Sequence, residues 1–184
     1  MTARLSRCAA AAAVLLLVGA AASLPAEAGL YRVDRAGPAG SSGADRRAML
    51  EAVVLKVVDG DTIKVSLAEP PRGLRSVETV RLIGVDTPEI RHPKKKPERG
   101  GREAAAYTAG RLLGKRVKLA FDRELRDRYD RLLAYVYPPA GACHNAELIV
   151  RGYGRAYLKF RFQFKEEFRR LEEQARLGRK GLWK

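Results

Sequence analysis

Between Val57 and Glu89 the chain reads VVDGDTIKVSLAEPPRGLRSVETVRLIGVDTPE, and this stretch restricts the fold more than any other. Asp59-Gly60 is a two-residue hairpin signal. A β-rich run precedes it (Val53, Val54, Leu55, Val57, Val58). After it, Ile63, Val65 and Leu67 alternate with Lys64, Ser66 and Ala68, the period of a half-buried strand. A Pro/Gly-rich loop from Glu69 to Ser76 leads into a third strand, Val77 to Val85. There Arg81 shares a face with Thr79 and Ile83, while Val80 and Leu82 point the other way. If strands two and three pair as a hairpin, Asp61 at the start of one lies beside Asp86 at the end of the other.

The remaining pattern completes a small barrel. Arg102 to Leu113 reads as a helix with Ala105, Thr108, Ala109 and Leu112 on one face and Gly114 as its stop. Val117, Leu119 and Phe121 alternate as a fourth strand, and Leu132 to Tyr137 is a fifth, stopped by Pro138-Pro139. Asn145 is placed to cap a short helix, Ala146 to Arg151. Phe164, Phe168, Leu171 and Ala175 stripe a last helix, with Glu166–Arg170 and Glu172–Arg176 as i, i+4 pairs. Five short strands with about three helices predict a five-stranded OB-fold barrel. A different five-stranded α+β sheet is the alternative.

The N-terminus is read separately. Arg4 and Arg7, an apolar run from Ala9 to Leu24 and Ala26-Glu27-Ala28 make a signal peptide over residues 1–28. Residues 29–50, rich in Gly, Ser and Pro, read as a flexible leader, and 51–184 as the folded domain. The expected location is secreted or periplasmic, or membrane-anchored if the signal stays uncleaved. Cys8 precedes the apolar run and is lost on cleavage, which leaves Cys143 alone and excludes an internal disulfide. His92 and His144 do not make up a zinc-type spacing pattern. The formal charge of +15 favours a polyanionic partner, whether nucleic acid, anionic lipid or acidic polysaccharide.

Chemistry concentrates in a few residues. Two carboxylates brought together repel unless a cation lies between them. A hard divalent ion, calcium first, accepts carboxylates, backbone carbonyls and water. Arg81 can grip two phosphate oxygens with its planar fork, and Arg131 can add a second grip. Glu89 is placed to take or orient the proton of a metal-bound water. Singly, each residue has a plainer reading: Asp59 and Asp61 as turn residues, Asp86 as a loop cap, Arg81 in a structural ion pair, Arg131 and Glu89 as surface charges. Lys94 to Lys96 are read either as an aid to polyanion approach or as a solvated loop.

VVDGDTIKV, VRLIGVDTPE and RDRYDRLLAYVY, in this order and spacing, resemble the staphylococcal nuclease (thermonuclease) family over Glu51 to Trp183, with GREAAAYT and the terminal KGLW in agreement. The resemblance implies calcium bound by Asp61, Asp86 and the carbonyl of Thr87. It implies Glu89 as general base and Arg81 and Arg131 on the scissile phosphate. Arg128 and Tyr129 would hold the nucleotide's other phosphate, and Tyr157 would lie beside the base. DNA and RNA would be the substrates, with 3′-phosphate products. The protein is expected to act as a monomer with no stable protein partner and, after signal cleavage, no membrane contact. Three departures stand out. Asp130 replaces a customary glycine, placing a negative charge near Arg131, Arg128 stands where the family often has lysine, and Gly100-Gly101 obscures where the first helix starts. The rival readings are a non-catalytic nucleic-acid-binding barrel and a cationic envelope protein.

Overall fold

The structure, a computed structural model, describes residues 49–90, 98–140 and 142–184. The signal segment, the leader up to residue 48, His92 and Lys94 to Lys96 lie outside the described residues. Five strands close a barrel: β1 (Leu50–Asp59), β2 (Thr62–Ser66), β3 (Val77–Leu82), β5 (Arg116–Ala120) and β6 (Leu132–Tyr137), in the spatial order β1-β2-β3-β6-β5. β3 and β6 run parallel and every other neighbouring pair is antiparallel. The alternation read from the sequence is the reason. Val54, Ile63, Val65, Val80, Leu82, Val117, Leu119 and Leu132 all point inward and are buried. Each such side chain contributes roughly 1.5–3 kcal/mol by leaving water.

The third strand is shorter than its apolar run predicts. It ends at Leu82; the chain turns at Ile83-Gly84 and resumes as β4 (Val85–Asp86). β4 leaves the barrel and pairs with β7 (Arg155–Ala156) in a separate two-stranded sheet. Asn145 makes this departure possible, though not as a helix cap. Helix α2 spans His144–Val150, so Asn145 lies inside it and is fully buried. Its amide nitrogen donates to Ile83 O (2.9 Å) and Ala134 O (3.1 Å), and its oxygen accepts from Val136 N (3.0 Å). Ala134 O also accepts from Ile83 N (3.1 Å), so the buried amide ties both sides of the turn to β6.

Helix α1 (Gly101–Leu112) begins one residue before its expected start, and Ala104 rather than Ala105 is buried beside Thr108 and Leu112. Gly101 is needed there: a Cβ would stand 2.8 Å from Pro88 O, so only glycine lets the helix start against the Pro88–Glu89 backbone. Helix α3 (Lys165–Leu177) buries Phe168, Leu171 and Ala175. Glu172 pairs with Arg176 as expected, whereas Glu166 pairs with Arg169, not Arg170. Cys143 is fully buried, and burial pushes its thiol up to about 12, too high for a nucleophile. Among the described residues no helix is long and apolar enough to cross a membrane.

Candidate active site

The hairpin register brings the acidic clusters together. Thr62 lies opposite Arg81, and Leu82 N donates to Asp61 O (2.9 Å), so the start of β2 and the end of β3 share one rim. Asp61 is buried. Its Oδ2 accepts from Thr87 N (2.7 Å) and its Oδ1 from Thr62 Oγ1 (3.0 Å). The Asp59-Gly60-Asp61 turn is clamped from behind: Thr108 Oγ1 donates to Gly60 O (2.7 Å), and a Cβ on Gly60 would come within 2.8 Å of both Ala104 and Thr87. Nothing bulkier than glycine lets α1 and Thr87 close on this turn.

Arg81 joins the two clusters. Nη1 lies 3.1 Å from Asp61 Oδ2 and donates to Leu82 O (3.1 Å) and Val85 O (2.8 Å); Nη2 donates to Asp86 Oδ1 (3.0 Å). The side chain is 14% exposed, and it faces the groove rather than the barrel interior. Glu89 follows on a backbone fixed by Glu98 N, which donates to Glu89 O (2.9 Å). Among the described residues the Glu89 carboxylate has no ion pair or hydrogen bond.

The facing wall is the turn before β6. Asp127 builds it: Oδ1 accepts from Tyr129 N (2.9 Å) and Arg131 N (3.0 Å), and Oδ2 accepts from Arg131 Nε (2.7 Å). Burial works against the Asp127 charge, but the bonds from Arg131 dominate and lower its pKa. Tyr129 stands 64% exposed with the Arg128 and Arg131 guanidinium groups over its ring, 4.8 and 5.4 Å from the centroid. Arg128 Nη2 also donates to Tyr129 Oη (2.7 Å). Asp130 adopts φ 62°, the left-handed geometry that glycine would supply. Its carboxylate does not neutralise Arg131. It pairs with Arg75 (2.8 Å) and Arg126 (3.4 Å).

Those two arginines converge on Glu78, a residue the sequence did not single out. Glu78 faces inward at the barrel end with its side chain wholly buried. It accepts from Arg126 Nη2 (2.6 Å), Arg75 N (2.8 Å) and Arg75 Nη2 (3.1 Å). Burial would raise its pKa; the bonds from Arg126 and Arg75 overcome this and hold it at about 2 against an ordinary 4.5. A carboxyl lowered on folding stabilises fully above its unfolded value and loses that contribution as pH falls through its folded value. Glu78→Gln is therefore expected to flatten the acid-unfolding curve between pH 4.5 and about 2. At neutral pH it should cost about 3 kcal/mol by leaving a buried cluster uncompensated. Circular dichroism against pH and denaturant checks both, and identical profiles would contradict the role.

All nine residues singled out above, Asp61, Arg81, Asp86, Thr87, Glu89, Arg128, Tyr129, Arg131 and Tyr157, line one cleft of about 670 Å³. Tyr157 is held by its N–H bond to Gly84 O (2.9 Å), with Phe160 beside it at 5.7 Å between ring centroids. Phe160 was not anticipated, although an aromatic between Lys159 and Arg161 is the visible signal. Asp59, read as a turn residue, also lines the cleft.

The donor set suits a hard cation. Asp59 Oδ1 and Thr87 Oγ1 are buried without a hydrogen-bond partner among the described residues. Desolvation raises the pKa of Asp59 and of Asp86, and in each case Asp61 and Glu89 raise it further; Ile90 N opposes at Asp59 and Arg81 at Asp86. Negative charge that Arg81 relieves only in part is what a divalent ion offsets. Among the described residues no group of three or more His, Cys, Asp or Glu side chains is placed to hold a metal ion by itself. An ion here would sit against Asp61, Asp86 and Thr87 and keep water ligands.

The model of the family described as staphylococcal nuclease homologue matches residues 79–184. Thermonuclease of Staphylococcus hyicus is 32% identical over 148 residues, covering 80% of this chain and 83% of that protein. Thermonuclease of Staphylococcus intermedius is 39% identical over 123 residues, covering 67% of each. The SPbeta prophage-derived endonuclease YokF of Bacillus subtilis is 30% identical over 138 residues, covering 73% of this chain and 44% of that protein.

Proposed function

This chain belongs to the staphylococcal nuclease family, and on that premise we propose that it is an exported, calcium-dependent endonuclease that hydrolyses the phosphodiester bonds of DNA and RNA to 3′-phosphate products. The observation that carries the reading is that Asp61, Asp86 and Glu89 line the same cleft as Arg81, Arg128 and Arg131, with Arg81 bonded to both Asp61 and Asp86. The export part rests on the charged start, apolar run and small-residue cut site of residues 1–28.

Asp61, Asp86 and the Thr87 carbonyl would hold the ion. Bound calcium supplies positive charge to a phosphate oxygen and makes water a better nucleophile. Glu89 takes the proton of the attacking water. Arg81, oriented by the carbonyls of Leu82 and Val85, and Arg131, oriented by Asp127, neutralise the charge that gathers on the phosphoryl oxygens. Arg128 and Tyr129 hold the adjacent phosphate, and Tyr157 offers a face for a base. The bond broken is phosphorus to the 5′ oxygen: the water oxygen stays on the 3′-phosphate, and the expelled 5′ oxygen takes a proton from solvent water and leaves as a 5′-hydroxyl.

A non-catalytic binder is the second reading. The Glu89 carboxylate, without a partner among the described residues, argues against it, because a negative charge in the groove only weakens affinity for a polyanion. The test is incubation with single-stranded DNA and with RNA, in calcium and then in excess chelator. Both polymers are expected to be cut in calcium and left intact with chelator. The fragments should carry free 5′-hydroxyls and 3′ ends that terminal transferase extends only after phosphatase treatment. Retarded but intact polymer in calcium would establish the binder instead.

A further inference from the structure

Tyr129 and Arg131 line two clefts. One is the groove described above. The other, about 310 Å³, opens onto the outer face of β2 and β3, where Lys64, Arg75 and Thr79 form its floor. The two therefore share the Tyr129–Arg131 turn.

The second cleft is cationic by construction. Lys64 lies directly opposite Thr79 on β3 and, on its other side, directly opposite Lys56 on β1. Like charges facing across neighbouring strands destabilise a sheet. Among the described residues neither lysine has an acidic partner, so the barrel gains nothing from the pair, whereas a polyanion lying across it does. Arg75 is fixed at the other edge by Glu78 and Asp130, at 3.1 and 2.8 Å. The one acid in the lining, Asp130, is already engaged by Arg75 and Arg126. In five-stranded barrels of this topology the face of strands two and three and the loop between strands four and five are where oligonucleotides lie. Here those are the β2–β3 face and the turn bearing Tyr129.

We propose that this cleft is a second nucleotide subsite. It takes the sugar-phosphate on the far side of the phosphate held by Arg128 and Tyr129, with Lys64 contacting its phosphate, Arg75 offsetting the Asp130 carboxylate at its edge and Lys56 continuing the track across β1. The inference rests on the nuclease reading of the neighbouring groove and extends it to longer polymers. A strand of two nucleotides fills the groove alone; a longer one reaches the subsite.

The test uses full-length protein carrying Glu89→Gln, so that binding is read without cleavage. Fluorescence anisotropy with labelled single-stranded dinucleotide and octanucleotide, at several salt concentrations, gives the affinity advantage of length. Lys64→Glu in that background is expected to cut this advantage about tenfold and to reduce the octanucleotide salt slope by about 0.7, the value for one phosphate contact on a single strand. Lys64→Gln should cut it less. Lys118→Glu, a matched charge reversal on the exposed face of β5 outside the cleft lining, should leave it unchanged. Equal weakening of both oligomers by Lys64→Glu, an undiminished advantage, or an equal effect from Lys118→Glu would overturn the subsite. If the unsubstituted protein digests DNA in calcium, that failure belongs to the subsite alone. If it neither binds nor cuts DNA, both readings fall.

Discussion

Glu89→Gln is expected to lower kcat by about 10²- to 10⁴-fold while leaving the Kd for single-stranded DNA and the far-ultraviolet dichroism unchanged. The substitution keeps the shape of the side chain and removes only its capacity to accept a proton. Little else should change. The Glu89 carboxylate has no partner among the described residues, and the local backbone is held by Glu98 N and by the close approach of Gly101. A group acting only in the transition state lowers kcat and kcat/KM together. Single-turnover cleavage of a labelled oligonucleotide in saturating calcium measures this. A rate within threefold of the unsubstituted protein would remove Glu89 from the chemistry.

Arg81→Lys is expected to be nearly as damaging, about 10²- to 10³-fold in kcat, the loss typical of removing one donor to a developing oxyanion. It should also lower stability, which Glu89→Gln does not. Arg81 makes its contacts with two nitrogens of one rigid fork: Asp61, Leu82 O and Val85 O on Nη1, Asp86 on Nη2. An ammonium is a point charge and cannot span that set while presenting two N–H groups to a phosphate. Asp61, 8% exposed at its side chain, would then lose part of its compensation. Thermal unfolding and single-turnover rates on the same preparation separate the two effects. Full activity in the lysine variant would mean that positive charge alone is required, and the phosphate fork would be wrong.

Much of the barrel was legible because local pattern and final structure coincide. Val54, Ile63, Val65, Val80, Leu82, Val117 and Leu119 alternate in the sequence and alternate in burial. The pairing of β2 with β3 followed from that alternation, and it brings Asp61 and Asp86 to opposite ends of one guanidinium. What could not be read depends on distant partners. Asn145 resembles a helix cap until Ile83, 62 residues away, is seen to need its amide. Glu78 looks like an ordinary strand residue because Arg126, which makes its burial tolerable, lies 48 positions on. Asp130 next to Arg131 suggests a weakened phosphate contact, yet its charge is spent on Arg75, 55 residues earlier. Asp59 reads as a turn former because burial of one oxygen leaves no trace in sequence. Short-range patterning wrote the strands and turns; side-chain pairing across the fold decided which charges remain available.

The account depends on two aspartates separated by a whole hairpin acting as ligands to one ion, and calcium titration by calorimetry in the absence of nucleic acid addresses this without recourse to activity. The unsubstituted protein is expected to bind one calcium ion, with Asp61→Asn and Asp86→Asn each weakening binding by at least about tenfold, a loss of about 1.4 kcal/mol. The double variant should show no heat of binding while retaining a cooperative thermal transition. One-site binding of undiminished affinity in the folded double variant would contradict it.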